Sequence, residues 1–156
     1  MAVGDTKWYS NLLAASGSGL PPARAGLGLV SRTAEFDLSL TGLDLDQDDL
    51  IEMIPIPAGA TIVDLVVSIP TDGLDDASAL SWTVGDADGT DDWDRYITSQ
   101  TTVGRNAGGV VRLNNAVGVG FQFAADGVIC IAITASATTT GSVGKVYMTV
   151  LYTMDA

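Results

Sequence analysis

The sequence has no histidine and a single cysteine, Cys130. Without histidine there is no Ser-His-Asp or Cys-His relay, and the usual zinc and iron ligand sets lose a principal member. One cysteine cannot form an intramolecular disulfide, so the fold is not a stapled secreted scaffold. Cys130 lies in the run Val128-Ile129-Cys130-Ile131 and reads as a small buried hydrophobe, not as a nucleophile. Aromatic residues make up only 6% of the chain, few for the lining of a deep ligand pocket. No apolar run approaches the roughly 18 residues that span a bilayer. The stretch Leu12–Ala15 is too short for the core of a signal peptide. The expectation is a protein made and used without a cleaved signal and with no membrane partner.

What remains is a chain of 156 residues, 47% hydrophobic and 17% charged, rich in small and β-branched residues. That length suits one domain able to bury its own core. The composition is too apolar for disorder and suits closely packed strands.

Charge is sorted along the chain. Residues 35–94 hold 16 acidic residues and no lysine or arginine, within a net charge of -12. Such a balance opposes binding to a nucleic-acid backbone. The basic residues lie at the two ends: Lys7, Arg24 and Arg32 before this stretch, and Arg95, Arg105, Arg112 and Lys145 after it. Two readings follow. The acids form a solvated face, or the basic ends of one copy meet the acidic middle of another and set register in an assembly.

Residues 1–34 show no sustained period, and Ser16-Gly17-Ser18-Gly19-Leu20-Pro21-Pro22 reads as a hinge. This segment is expected to be an extended N-terminal arm, with residues 35–156 as the folded domain. Trp8 and Tyr9 near its tip require a surface to bury against, either their own domain or a partner. Trp8, Tyr9, Leu12, Leu13, Arg24 and Arg32 are the candidate partner-binding residues.

From residue 35 a two-residue period predicts strands. Phe36, Leu38 and Leu40 alternate with polar residues. Further strands are expected at 50–56, 61–69, 79–84, 95–98, 110–113, 117–123, 128–134 and 145–153, with a Pro57-Ala58-Gly59-Ala60 turn. No segment has a helical period. The prediction is an all-β, jelly-roll-like β-sandwich of about eight strands with an extended N-terminal arm, an immunoglobulin-like sandwich being second.

The densest polar feature is Asp86-Ala87-Asp88-Gly89-Thr90-Asp91-Asp92-Trp93-Asp94. Oxygen ligands around a glycine suit calcium, with Asp86, Asp88, Asp91 and Asp92 as candidate ligands. The spacing is not that of an EF-hand. The competing reading is a loop stabilised by Asp and Gly, with no cofactor. Asp72-Gly73-Leu74-Asp75-Asp76 is a second acidic loop, one that could approach the first across the sheet end. Paired carboxylates also serve glycosidases, with Trp82 and Trp93 as stacking platforms, but any Asp-rich loop offers such pairs. No enzymatic function is expected.

The stretch Val84-Gly85-Asp86 through Asp94-Arg95-Tyr96-Ile97 resembles a recurring pattern in small β-sandwich virion proteins of tailed bacteriophages. There a strand ends in a Val-Gly-Asp-like turn, and an acidic loop leads to an Asp-Arg-Tyr step. The turn and strand start Ile56-Pro57-Ala58-Gly59-Ala60-Thr61-Ile62, and the closing Val146-Tyr147-Met148-Thr149-Val150-Leu151-Tyr152, are similar to these proteins too. The resemblance covers roughly residues 50–153. It implies a multi-copy head-decoration, cement or tail-associated protein of the phage particle, assembled in the host cytoplasm. The implied partners are its own copies, as a homotrimer, and the major capsid protein or another virion protein. The alternative is a carbohydrate- or receptor-binding β-module of a tail or fibre. No catalytic residue is carried over.

Overall fold

Alternation of apolar and polar residues sets most of the strands. In the computed structural model, residues 7–9, 28–38, 45–70, 74–75, 79–87, 92–105, 107–137 and 144–154 are described. They form β1 (Lys7–Tyr9), β2 (Leu29–Asp37), β3 (Leu50–Ile56), β4 (Ala60–Ile69), β5 (Ser81–Ala87), β6 (Asp92–Gln100), β7 (Gly109–Arg112), β8 (Gly127–Ala135) and β9 (Lys145–Met154). Among the described residues there is no α-helix. In β9 the row Val146, Met148, Val150, Tyr152 and Met154 is buried, and the intervening residues are half-buried on the outer face. In β4 a bulge between Ile62 and Asp64 takes Val63 off the core row.

Two sheets pack face to face. One has the order β1-β3-β8-β5-β6 and the other β2-β9-β4-β7. The antiparallel pairs β2–β9, β3–β8, β4–β7 and β5–β6 reveal how the chain is wound. Leu29 faces Thr153, Leu50 faces Ala132 and Trp82 faces Gln100, each pair centred on position 91 of the chain. The eight strands β2 to β9 are therefore one long antiparallel hairpin, and β4–β9 and β5–β8 pairing joins adjacent turns of the roll. This winding is the jelly roll, as expected from the sequence. β1 adds in parallel to the free edge of β3.

Strand expectations differ from the structure in several places, and β5 runs Ser81–Ala87 where 79–84 was expected. β2 begins at Leu29, so the boundary drawn at residue 34 falls inside it, and it ends at Asp37 before Leu40. Its inward row is Val30, Arg32, Ala34 and Phe36, and the arginine in that row conceals the alternation. Residues 117–123 are not a strand but part of a seam between the sheets. On one side Gly120 N–H donates to Ile62 O at 2.9 Å and Ile62 N–H to Phe121 O at 2.9 Å. On the other, Asn114 and Asn115 N–H reach Tyr96 O at 3.0 and 3.2 Å. β6 is longer than expected, running from Asp92 to Gln100, because its start is charged where a core row was sought.

The core lies between the sheets, with Trp82, Tyr96, Tyr152, Phe123, Leu74 and Leu80 among its fully buried side chains. Pro57 to Ala60 forms the expected turn: Ala60 N–H donates to Pro57 O at 3.2 Å, and Gly59 takes φ 83°. A positive φ at that position is the type II requirement that glycine meets.

Candidate functional site

Asp86 ends the inward row of β5 and is fully buried. Arg95, on the paired strand β6, donates from Nε to Asp86 Oδ2 at 2.6 Å, and its second nitrogen lies 3.6 Å from Asp92 Oδ2. The guanidinium carbon is 3.8 Å from the centroid of the Phe121 ring, on the seam. Phe121 in turn meets Phe123 edge-on at 5.4 Å. A cation is thus held between two carboxylates and an aromatic face. The acidic strand ends close on an arginine of the same chain, which locks the β5–β6 hairpin to the seam. Such an arrangement supplies no nucleophile and no free general base.

Of the four residues considered as calcium ligands, Asp86 and Asp92 come together, on Arg95. Asp88 and Asp91 lie outside the described residues. Among the described residues no group of three or more acidic or cysteine side chains is placed to hold a metal ion. Asp94, two residues beyond Asp92, has its carboxyl pushed above the usual range by hydrogen bonding to Asp92, with burial and Asp92's charge adding to the effect. This carboxyl pair stands on exposed strand surface, not in a sugar-binding cleft.

Of the second acidic loop, Leu74 and Asp75 are described. Asp75 is buried, and its Oδ2 accepts Ala79 N–H at 3.1 Å and Leu80 N–H at 2.9 Å. Arg105 donates to the Leu80 and Ala79 carbonyls beside it. Asp75 therefore pins the entrance to β5, whereas Asp86 sits near its other end, and the seven residues of the strand span about 20 Å.

Part of the charge sorted along the sequence pairs within one chain. Besides Arg95, Arg112 Nη1 lies 3.1 Å from Asp64 Oδ2, and Lys145 Nζ lies 2.8 Å from Asp37 Oδ2 and 3.2 Å from Glu35 Oε1. Asp37 and then Glu35 hold the Lys145 ammonium well above its usual pKa. A rolled hairpin brings the acidic first half of its strands against the basic second half. Other acids build turns: Asp46 N–H donates to Asp49 Oδ2 at 2.9 Å, and Ala58 N–H to Asp126 Oδ1 at 2.9 Å.

The tryptophans divide. Trp82 is fully buried, with its indole N–H on Val103 O at 2.8 Å, so it offers no platform to a sugar. Trp93 is half-buried and lines a shallow pocket of about 260 Å³ with Asp48, Leu50, Ala132, Ile133 and Thr134, below the usual ligand range.

The arm residues also divide. The backbone of Trp8 and Tyr9 pairs with Ile51 and Glu52, so this part of the arm lies along β3 of its own chain. The edge of β3 would otherwise present unpaired N–H and C=O groups, which is what draws a strand to it. Leu12, Leu13 and Arg24 lie outside the described residues. Arg32 belongs to the inward row of β2, half-buried; burial pushes the Tyr152 phenol above its usual pKa, and the Arg32 charge offsets only part of that push. Sequence reasoning missed the exposed apolar residues Leu29, Val63, Val110, Val117 and Val119. Val117-Gly118-Val119-Gly120 alternates as a strand does, and only the seam's hydrogen bonds reveal that its valines face solvent.

No protein-family model matches the chain, and no curated protein matches it. Solved structures do. A chain of the capsid of Ralstonia phage GP4 superposes with a TM-score of 0.74 at 22% identity, over 97% of this chain and 99% of that one. A chain of the cyanophage Pam1 capsid asymmetric unit gives 0.66 at 18% identity, over 99% and 100%. A chain of the acid-stable capsid of Helicobacter pylori bacteriophage KHP30 gives 0.53 at 13%, over 84% and 95%. At these identities the likeness establishes the fold: this jelly roll is one shared with chains found in three phage capsids.

Proposed function

We propose that this chain is a structural virion protein of a tailed phage, a multi-copy decoration or cement protein that binds and reinforces the capsid. The observation that carries this reading is the two-way match to the GP4 capsid chain, 97% of one and 99% of the other. The arrangement of the site agrees with it. The ionic groups are spent on holding strands and turns together, and the pocket beside Trp93 is small. Attachment then falls to the exposed Leu29, Val110, Val117 and Val119, and to the arm that carries Trp8 and Tyr9. Capsid protein or another virion protein is the partner, and copies of the chain associate as a homotrimer. No nucleic acid, membrane or enzymatic turnover is involved, and assembly occurs in the host cytoplasm.

The test is reconstitution on the parent particle. Purified protein added to particles lacking it should saturate at a fixed number of copies and raise the temperature at which they release their genome. A cryo-EM map should place it on the head. Location on a fibre, or saturable binding to a host glycan, would move the assignment to a receptor-binding module. A chain beginning at Leu29 keeps β2 whole and isolates the arm: it should fold with an unchanged far-UV spectrum and lose particle binding. Light scattering at tens of micromolar tests the trimer.

A further inference from the structure

We infer that the edge of β3 at Leu50–Glu52 is a strand-acceptor slot, which residues 7–9 of a second copy fill when copies are crowded together. The ladder is short and parallel: Lys7 pairs with Leu50, Trp8 with Ile51 and Tyr9 with Glu52. Parallel pairing is the weaker kind per residue. The other edge of β3 is already taken by β8, so among the described residues β1 is the strand that covers this side of the sheet.

The connection permits exchange. Residues 10–28 separate β1 from β2, which lies in the opposite sheet. Those 19 residues can extend at most about 65 Å at roughly 3.4 Å each. A domain of 156 residues has a radius of gyration of only about 15 Å. The same three residues can therefore reach a neighbour's β3 and make the same backbone hydrogen bonds there. No new complementary surface is needed, which is the condition for strand exchange between copies.

Concentration decides between the two forms. A tethered segment meets its own slot at an effective concentration in the millimolar range. Dilute protein keeps β1 in its own chain. On a lattice where neighbouring slots are equally near, exchange competes on equal terms and links copies without altering the sandwich. The crowding rests on the multi-copy reading above, whereas the capacity to exchange belongs to the chain itself and is tested without particles.

The experiment uses Cys130→Ala chains, which lack the native thiol, carrying either Tyr9→Cys or Glu52→Cys, one of them with a mass tag. Residues 9 and 52 are register partners, and neighbouring strands stand at a spacing a disulfide spans. Mixed under a glutathione redox buffer, the two should form a mixed disulfide of intermediate mass. Its yield should rise at least tenfold from ten micromolar to one millimolar and exceed that of Tyr9→Cys mixed with Ser68→Cys. A chain carrying both substitutions should close internally at ten micromolar. Internal closure without the mixed product at millimolar concentration would overturn exchange. Absence of internal closure would overturn the slot itself. Neither result would bear on whether the protein resides on the capsid.

Discussion

Lys145 and Asp37 are register partners at one end of the β2–β9 ladder, and their charged atoms stand 2.8 Å apart. Both side chains lie on the outer face of their sheet, where Glu35 joins them. At the other end of the chain's winding, Arg95 meets Asp86 in the interior. The two pairs do different work. An exposed pair adds little to stability, whereas a buried one penalises any change that leaves a single partner behind.

The buried pair gives the largest expected effect. Arg95→Met leaves Asp86 without its cation between the sheets and should cost about 3 to 5 kcal/mol. The double variant with Asp86→Asn should recover much of that loss. Urea unfolding measures both. An Arg95→Met chain within 1 kcal/mol of the parent would show that the pair contributes no such lock.

Tyr152 offers a change in the opposite direction. Its ring is fully buried, and its hydroxyl has no hydrogen-bond partner among the described residues. Tyr152→Phe removes a desolvated polar group and should raise stability by about 1 kcal/mol. A loss of stability in thermal unfolding would mean that the hydroxyl is satisfied in solution.

Asp94 sets a pH dependence. Its carboxyl binds a proton more tightly in the folded chain than in the unfolded one, first because of the hydrogen bond to Asp92. The stabilisation this group contributes is complete below its unfolded pKa and is lost as pH rises through the folded value. Asp94→Asn should therefore stabilise the protein at pH 7, by no more than about 0.5 kcal/mol at so exposed a position. The gain should vanish near pH 3. Melting curves of the two chains across that range read the difference, and a gain that grew toward acid would refute the assignment.

Calcium is expected to make no difference. Arg95 already neutralises Asp86 and approaches Asp92, so two of the four candidate ligands face a cation of the protein's own. Thermal unfolding should agree within error in millimolar calcium and in EDTA. A rise in calcium would instead follow the mass-action law for a ligand of the folded state.

The strands that the sequence made legible are those in which apolar and polar residues alternate. Val146, Met148, Val150 and Tyr152 make such a row apart from the outer Tyr147 and Leu151, Ile129 to Ile133 was legible instead as a continuous apolar run, and the turn at Gly59 was readable from its chemistry. Arg32, Asp86 and Arg95 occupy inward positions, so the rows they belong to looked irregular, and β2 and β6 appeared too short. β1 spans three residues, too few for any period to show. The pairing of acids with bases was beyond reach for another reason. It depends on which turn of the roll each strand occupies, and no local pattern carries that information.

Winding about a single midpoint also fixes an order of events. The β5–β6 ladder closes only a short loop, whereas the β2–β9 ladder joins residues more than a hundred positions apart. Loop-closure entropy and a dominance of distant contacts make such a chain slow to fold compared with one built from local hairpins. β8 lies between β3 and β5, and β9 lies between β2 and β4, so each sheet lacks an interior member until the last part of the chain has left the ribosome. Until then β3 and β4 offer bare edges to any neighbour. Expression at lower temperature, which slows synthesis and limits encounters between unfinished chains, is the remedy that this winding recommends.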